Sequence, residues 1–228
     1  MTNEWHTNQL VQDQFSNAVE TGDSNTLGSI LAMSPDILHT TDKDGHDFGA
    51  RSLFKAIWAA QDTIVDKILG GRPELIDYRH PKTHEGVLQH AVRRGNTQFL
   101  AWMLDHFPSV SSAVDTDGRS ALHHAAADGR LEVLKLLVTR CPHLLSCSDK
   151  IGRTPLHAAI EVDRIGAVQF LLAIKQELAS VSDAFGRSPM DYSTSLRYNE
   201  ISELLAESIS KNRVWQDKTR TIPPSWEK

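Results

Sequence analysis

Polar and apolar positions recur along this chain with a near-constant period. From Asp115 to Val138 it reads Asp-Thr-Asp-Gly-Arg-Ser-Ala-Leu-His-His-Ala-Ala-Ala-Asp-Gly-Arg-Leu-Glu-Val-Leu-Lys-Leu-Leu-Val. Leu131, Leu134, Leu137 and Val138 fall at helical spacing there and predict one buried stripe. The block returns from Asp149 to Leu172 and, more altered, from Asp183. Gly118, Gly152 and Gly186 are 34 residues apart, as are Arg119, Arg153 and Arg187. Fixed-period self-similarity of this kind marks a stacked repeat array, in which each unit contacts its neighbours.

The register extends backward. Phe15, Leu53, Leu88, Leu122, Leu156 and Met190 share one position, at intervals of 38, 35, 34, 34 and 34. Three residues later stand Ala18, Ala56, Ala91, Ala125, Ala159 and Ser193, small as a close helix contact requires. Pro35, Pro73, Pro108 and Pro142 repeat the intervals 38, 35 and 34. Each proline is expected to stop a helix and to precede apolar residues: Ile37-Leu38, Leu75-Ile76, Val110 and Leu144-Leu145.

The form Thr-Pro-Leu-His-Ala-Ala at Thr154 to Ala159, taken with the period, resembles the ankyrin repeat, a β-turn followed by two antiparallel helices. The resemblance implies an all-α ankyrin-repeat solenoid of paired antiparallel helices with short β-turn connections. Six repeats are expected over 13–210, with units near 13–45, 46–78, 79–114, 115–148, 149–182 and 183–210. Residues 1–12 are expected to form an N-terminal cap or frayed start, and 211–228 an extended C-terminal tail. Gly22 and Ala60 occupy the turn between the two helices of their units, and Gly70-Gly71 is expected to be a helix C-cap with positive φ.

Composition narrows the classes. The net charge of −5 argues against nucleic-acid binding, which needs a basic footprint. No run approaches the roughly 18 apolar residues of a membrane span, and the first residues lack the pattern of a secretory signal. Cys141 and Cys147 show no disulfide or zinc spacing. A cytoplasmic protein, monomeric alone, is the expectation.

Chemistry is sparse. His123 and His157 occupy the motif histidine and are expected to bond near the helix start, with Ser120 and Thr154 as partners. His80, His84 and nearby His90 invite a metal reading, but Pro81 opposes the helix that an i, i+4 pair needs, and no set completes a tetrahedron. No Gly-rich phosphate loop or zinc-protease motif is present. No catalytic residue, metal or cofactor is therefore expected. In ankyrin-like arrays partners dock on the concave face, and the positions implied are Lys55, Trp58, His90, Arg93, Arg94, Arg119, His124, Arg153 and Arg187. Such a cationic, aromatic patch predicts a protein partner with an acidic segment, and like charges gathered there would repel in the free chain. The alternative is a small-molecule enzyme of isomerase or cyclase type in repeats 2–4. It would have His90 or His124 as acid or base and Phe54, Trp58 and Trp102 as walls, Trp102 being better suited to core. A closed pocket of roughly 300 Å³ or more would favour the enzyme, and an open groove the binding module.

Overall fold

A computed structural model describes the backbone of residues 2–42, 44–80 and 84–220, and side chains within 9–42, 44–80 and 84–211. Its regular structure is helical: among the described residues β structure is confined to isolated bridge positions, Thr41 paired antiparallel with Asp47 and single residues at Val114 and Ser120. The chain divides into two compact units, Met1–Thr116 and Asp117–Lys228.

In the first unit six helices pair in sequence: α1 (Thr2–Thr21) with α2 (Ser24–Met33), α3 (Phe48–Trp58) with α4 (Asp62–Gly71), and α5 (Val87–Arg94) with α6 (Thr97–His106). In the second they are α7 (Ala121–Asp128) with α8 (Leu131–Arg140), α9 (Pro155–Glu161) with α10 (Ile165–Ile174), and α11 (Pro189–Ser195) with α12 (Asn199–Arg220). The small residues of the repeat sit where helices press together. Ala56, Ala91, Ala125, Ala159 and Ser193 have no exposed surface, and the apolar residue three places earlier is as deeply buried from Phe15 to Leu156.

The prolines do more than stop helices. Pro35, Pro73, Pro108 and Pro142 each open a five-residue 3-10 helix that carries buried Ile37 and Leu38, Leu75, Val110, or Leu144 and Leu145. Proline fits there because the first helical position has no amide hydrogen bond to lose. A fifth such segment, Gln176–Ser180, forms without proline and buries Leu178 and Ala179.

Between inner and outer helices the backbone enters the left-handed region at one register position in every pair. The residues are Gly22, Ala60, Gly95, Gly129, Asp163 and Arg197. Glycine takes this conformation at no steric cost, whereas the other three hold it against a Cβ penalty.

The repeat turns are built from an aspartate and an arginine. Asp149 accepts from the Ile151 and Arg153 amides at 3.1 and 2.9 Å and pairs with Arg153 Nε at 2.8 Å. Asp183 and Arg187 reproduce the arrangement. Successive turns of the second unit are laced together: the Lys150 amide donates to the Asp117 carbonyl and the Ala184 amide to that of Ile151, both at 2.8 Å.

Four expectations are corrected. The chain is helical from Thr2, so residues 2–12 continue the first helix, which sets aside the frayed start and not the cap. Helix α12 continues past Ser210 to Arg220; residues 211–220 contain no Gly or Pro to end it, and Glu207 pairs with Lys211 one turn on, at 2.7 Å. The rest of the expected tail, 221–228, lies outside the described residues. Gly70 and Gly71 close α4 without entering positive φ. Gly71 instead makes room for Leu38, whose Cδ1 would lie 3.0 Å from an added Cβ. In α8 the stripe is Val133, Leu134 and Leu137, while Leu131, in the first turn, is 37% exposed.

Candidate functional site

The first unit contains a cleft of about 660 Å³, half open to solvent. Its floor is one face of α3 and the residue that caps it. Asp47, Ala50, Arg51, Phe54, Lys55 and Trp58 all line it, and their spacing of 3, 1, 3, 1 and 3 is that of a single helical stripe. At 1.5 Å per residue the stripe is about 16 Å long. One wall is Val19 and Glu20 of α1; the other is Tyr78, His80 and His90.

An array of rings joins floor to wall. Phe54 meets His90 edge to face at 4.9 Å between centroids, His80 at 5.5 Å and Tyr78 at 6.3 Å. His80 and His90 are parallel within 9° at 6.4 Å, and Trp58 lies 5.5 Å from His90. These separations fall in the attractive range for aromatic pairs. Phe54 is buried, whereas Trp58 is 51% exposed. Burial lowers the pKa of His90; the Glu85 carboxylate opposes that shift, while His80 and Arg93 add to it. Its imidazole is therefore neutral at physiological pH, and the wall remains uncharged at that point.

Charges on the rim are largely matched. Lys55 Nζ lies 2.8 Å from Glu20, which holds that carboxyl below its usual range. Asp47 caps α3 through the Ala50 amide at 2.8 Å and pairs with Arg72 at 2.8 Å. Arg51 bonds Asp42. Burial pushes the Asp42 pKa up, but the His46 amide, Arg51 and the Asp44 amide outweigh it and hold the group ionised. Asp42, Asp44 and His46 bring ligand atoms within 4.8 Å of one another. Both Asp42 oxygens already serve the turn and Arg51. Arg93 pairs with Glu85 at 3.0 Å. Arg94 is different: its guanidinium carbon lies 5.7 Å from the centroid of the Trp58 ring.

Of the residues expected at a binding face, Lys55, Trp58, His90 and Arg94 are gathered at or beside this cleft, with Arg93 on the same helix. Arg119, His124, Arg153 and Arg187 belong to the second unit. The assumption of mutually repelling, unmatched arginines is corrected there. Arg153, its side chain 13% exposed, is held by Asp149 and Glu161. Arg187 bonds Asp183 and donates to Tyr192 Oη at 2.8 Å, while that hydroxyl donates to Asp183 at 2.7 Å. Burial and the bond to Asp183 push the Tyr192 pKa up to about 12. Asp183 is held well below the carboxylate range, because the Arg187 amide, Tyr192 and the Arg187 side chain overcome the cost of burial. These two arginines brace repeat turns.

The motif histidines are structural, as expected. His123 Nδ1 accepts from the Ser120 amide at 3.1 Å, and its Nε2 donates to the Arg153 carbonyl at 2.9 Å. His157 repeats the first contact with Thr154 at 3.1 Å. Burial lowers the pKa of both. In the first unit Gln89 holds the same position and donates from Nε2 to the Ala113 carbonyl at 2.6 Å.

For the alternative pocket, only Phe54, Trp58 and His90 of the five residues foreseen line the cleft. Trp102 packs on Phe99, His106 and Phe107 in its own outer helix and the segment after it. The site residues not anticipated include Arg51, Tyr78, His80, the end of the stripe at 44–50 and the α1 wall. Arg51 was legible, one turn before Lys55 on the same face; Tyr78 follows a 3-10 helix that the sequence did not announce.

Residues 53–144 match the family description "Ankyrin repeats (3 copies)", and residues 151–183 match "Ankyrin repeat". No curated protein matches the chain. No helix among the described residues is long and apolar enough to cross a membrane. The matched segments cover more than half of the 228 residues, and with paired helices, Asp–Arg turns and motif histidines in register they carry one conclusion: the chain belongs to the ankyrin-repeat family.

Proposed function

We propose that this chain is a non-catalytic binding module that holds a protein partner against the inner helices, with the cleft of the first unit as the principal contact. Ankyrin repeats are generally protein–protein interaction modules. The observation that carries the reading is the open, ring-lined stripe of α3, ending at half-exposed Trp58. Trp, Tyr and Arg are the side chains on which interface energy concentrates, and a soluble protein gains nothing by leaving Trp58 in water. A stripe of about 16 Å accommodates four or five residues of extended chain at about 3.3 Å each. His90 has the neutral imidazole an acid–base catalyst needs, but the rings around it are placed as a contact surface, open on one side. On this reading Lys55, Trp58, His90, Arg93 and Arg94 meet the partner. The chain then works in the cytoplasm as a monomer, with Cys141 and Cys147 as thiols.

The test fills the cleft. Ala59 lines it and is exposed, so Ala59→Trp adds bulk without entering the core. Partners selected from a displayed peptide library on the full chain should bind this variant at least about ten-fold more weakly, roughly 1.4 kcal/mol. Equal binding by both proteins would refute the cleft as the contact.

A further inference from the structure

The Arg94 guanidinium, over the Trp58 ring at 5.7 Å from its centroid, gives the cleft a chemical preference, and we infer that its partner presents an aromatic side chain with a carboxylate within two residues of it. This rests on the docking role proposed above and specifies what docks. A guanidinium over a ring is held by the ring's charge distribution and still has N–H donors to offer a carboxylate. Arg94 is exposed, 5.7 Å from the Trp58 ring, and among the described residues no carboxylate pairs with it. The comparison with Arg187 is instructive. That guanidinium also lies over a ring, 4.8 Å from the Tyr192 centroid, but its donors are spent on Asp183 and on the Tyr192 hydroxyl. Arg94 lies over a ring and, among the described residues, has no such carboxylate.

The acids near the cation do not offer the opposite preference. Glu20 is engaged by Lys55, Asp47 by Arg72 and the α3 cap, and Glu85 by Arg93, while exposed Asp44 lies three residues before Asp47, at the end of the stripe away from Trp58. Next to this cation lies the ring array, where a further aromatic group finds Trp58 half exposed and His90 uncharged. The anchor and the cation are thus separated by about one aromatic stacking distance. Consecutive Cα atoms are about 3.8 Å apart, so a carboxylate one or two residues from the aromatic reaches the guanidinium.

Selection of random twelve-residue peptides on the full chain and on Arg94→Glu, run in parallel, tests this. The wild-type chain should enrich peptides with Trp, Tyr or Phe and an Asp or Glu within two positions of it. Arg94→Glu should enrich the aromatic with Lys or Arg within two positions, and each set should bind its own protein at least about ten-fold better than the other. Trp58→Ala should lose both sets. Loss of folding cannot mimic an exchange of preference. If binders are blocked by Ala59→Trp yet carry no acid, or are unchanged by Arg94→Glu, the aromatic–acidic preference is wrong while the docking role stands. If nothing selected is sensitive to Ala59→Trp, both fall. Binding of 2-naphthoate with no peptide binding would overturn the inference in favour of a small molecule. A dimer dissociated by Ala59→Trp would overturn it in favour of a second copy.

Discussion

Ala60 holds φ of +54° at the helix–helix turn where Gly22, Gly95 and Gly129 stand in other pairs. An L-residue pays about 1–2 kcal/mol for that conformation, because Cβ crowds the following carbonyl. Replacing it with glycine removes this cost and adds back about 0.4–1 kcal/mol through the greater freedom of the unfolded chain. Ala60→Gly should therefore stabilise the protein by about 0.5–1 kcal/mol. The turn's own bonds, Ala60 N–H to the Ile57 carbonyl and Gln61 N–H to that of Ala56, both 3.0 Å, involve no side chain and survive the change. Alanine also has no polar group to lose, so this site is a cleaner test than Asp163 or Arg197. The converse, Gly129→Ala, should destabilise, since φ is +70° and the new Cβ would sit 2.8 Å from Arg164 Cδ. Chemical denaturation followed by circular dichroism reads both, as midpoint shifts of opposite sign at unchanged slope. A lower midpoint for Ala60→Gly would refute the strain argument.

Three further outcomes are expected. Leu122→Ala and Leu156→Ala, at fully buried sites, should each cost about 2–5 kcal/mol in denaturant melts, whereas Lys135→Ala, on an exposed pair with Glu132, should change stability by less than about 0.5 kcal/mol. His90, His123 and His157 have pKa values lowered by burial, so the unfolded chain binds more protons as pH falls below the ordinary histidine value of 6.5. Stability should be level above about pH 7 and decline on acidification before any carboxylate titrates, a slope that His123→Gln with His157→Gln should flatten. His123→Gln should itself be milder than His123→Ala, because it keeps a side-chain donor at a register position where Gln89 bonds a backbone carbonyl, that of Ala113; thermal melts rank them.

Much of the fold was legible because the repeat fixes it twice, through the small residue of the inner helix and through the proline. What proline adds was not: the 3-10 segments depend on apolar residues turning under the helix pair, which Gln176–Ser180 does with no proline at all. Positive φ at Ala60, Asp163 and Arg197 was hidden for a similar reason, since tertiary packing imposes a conformation those residues do not advertise. At the site, the side chains could be named from register, but their pairing could not. Arg153 and Arg187 look like groove cations in a list of positions, and become turn braces once Asp149 and Asp183 fold against them. Arg94, with the same residue type, lies 5.7 Å from the Trp58 ring centroid, and among the described residues no carboxylate pairs with it.

The central claim is that partners bind across the α3 stripe at Trp58. Fluorine NMR of the chain labelled with 5-fluorotryptophan measures this directly, with the Trp58 and Trp102 signals assigned by Trp58→Phe and Trp102→Phe. Titration with a partner selected on the full chain should shift or broaden the Trp58 resonance in step with binding. Trp102, packed in its outer helix against Phe99 and His106, should stay in place. A Trp58 signal that does not move at saturation would contradict the account.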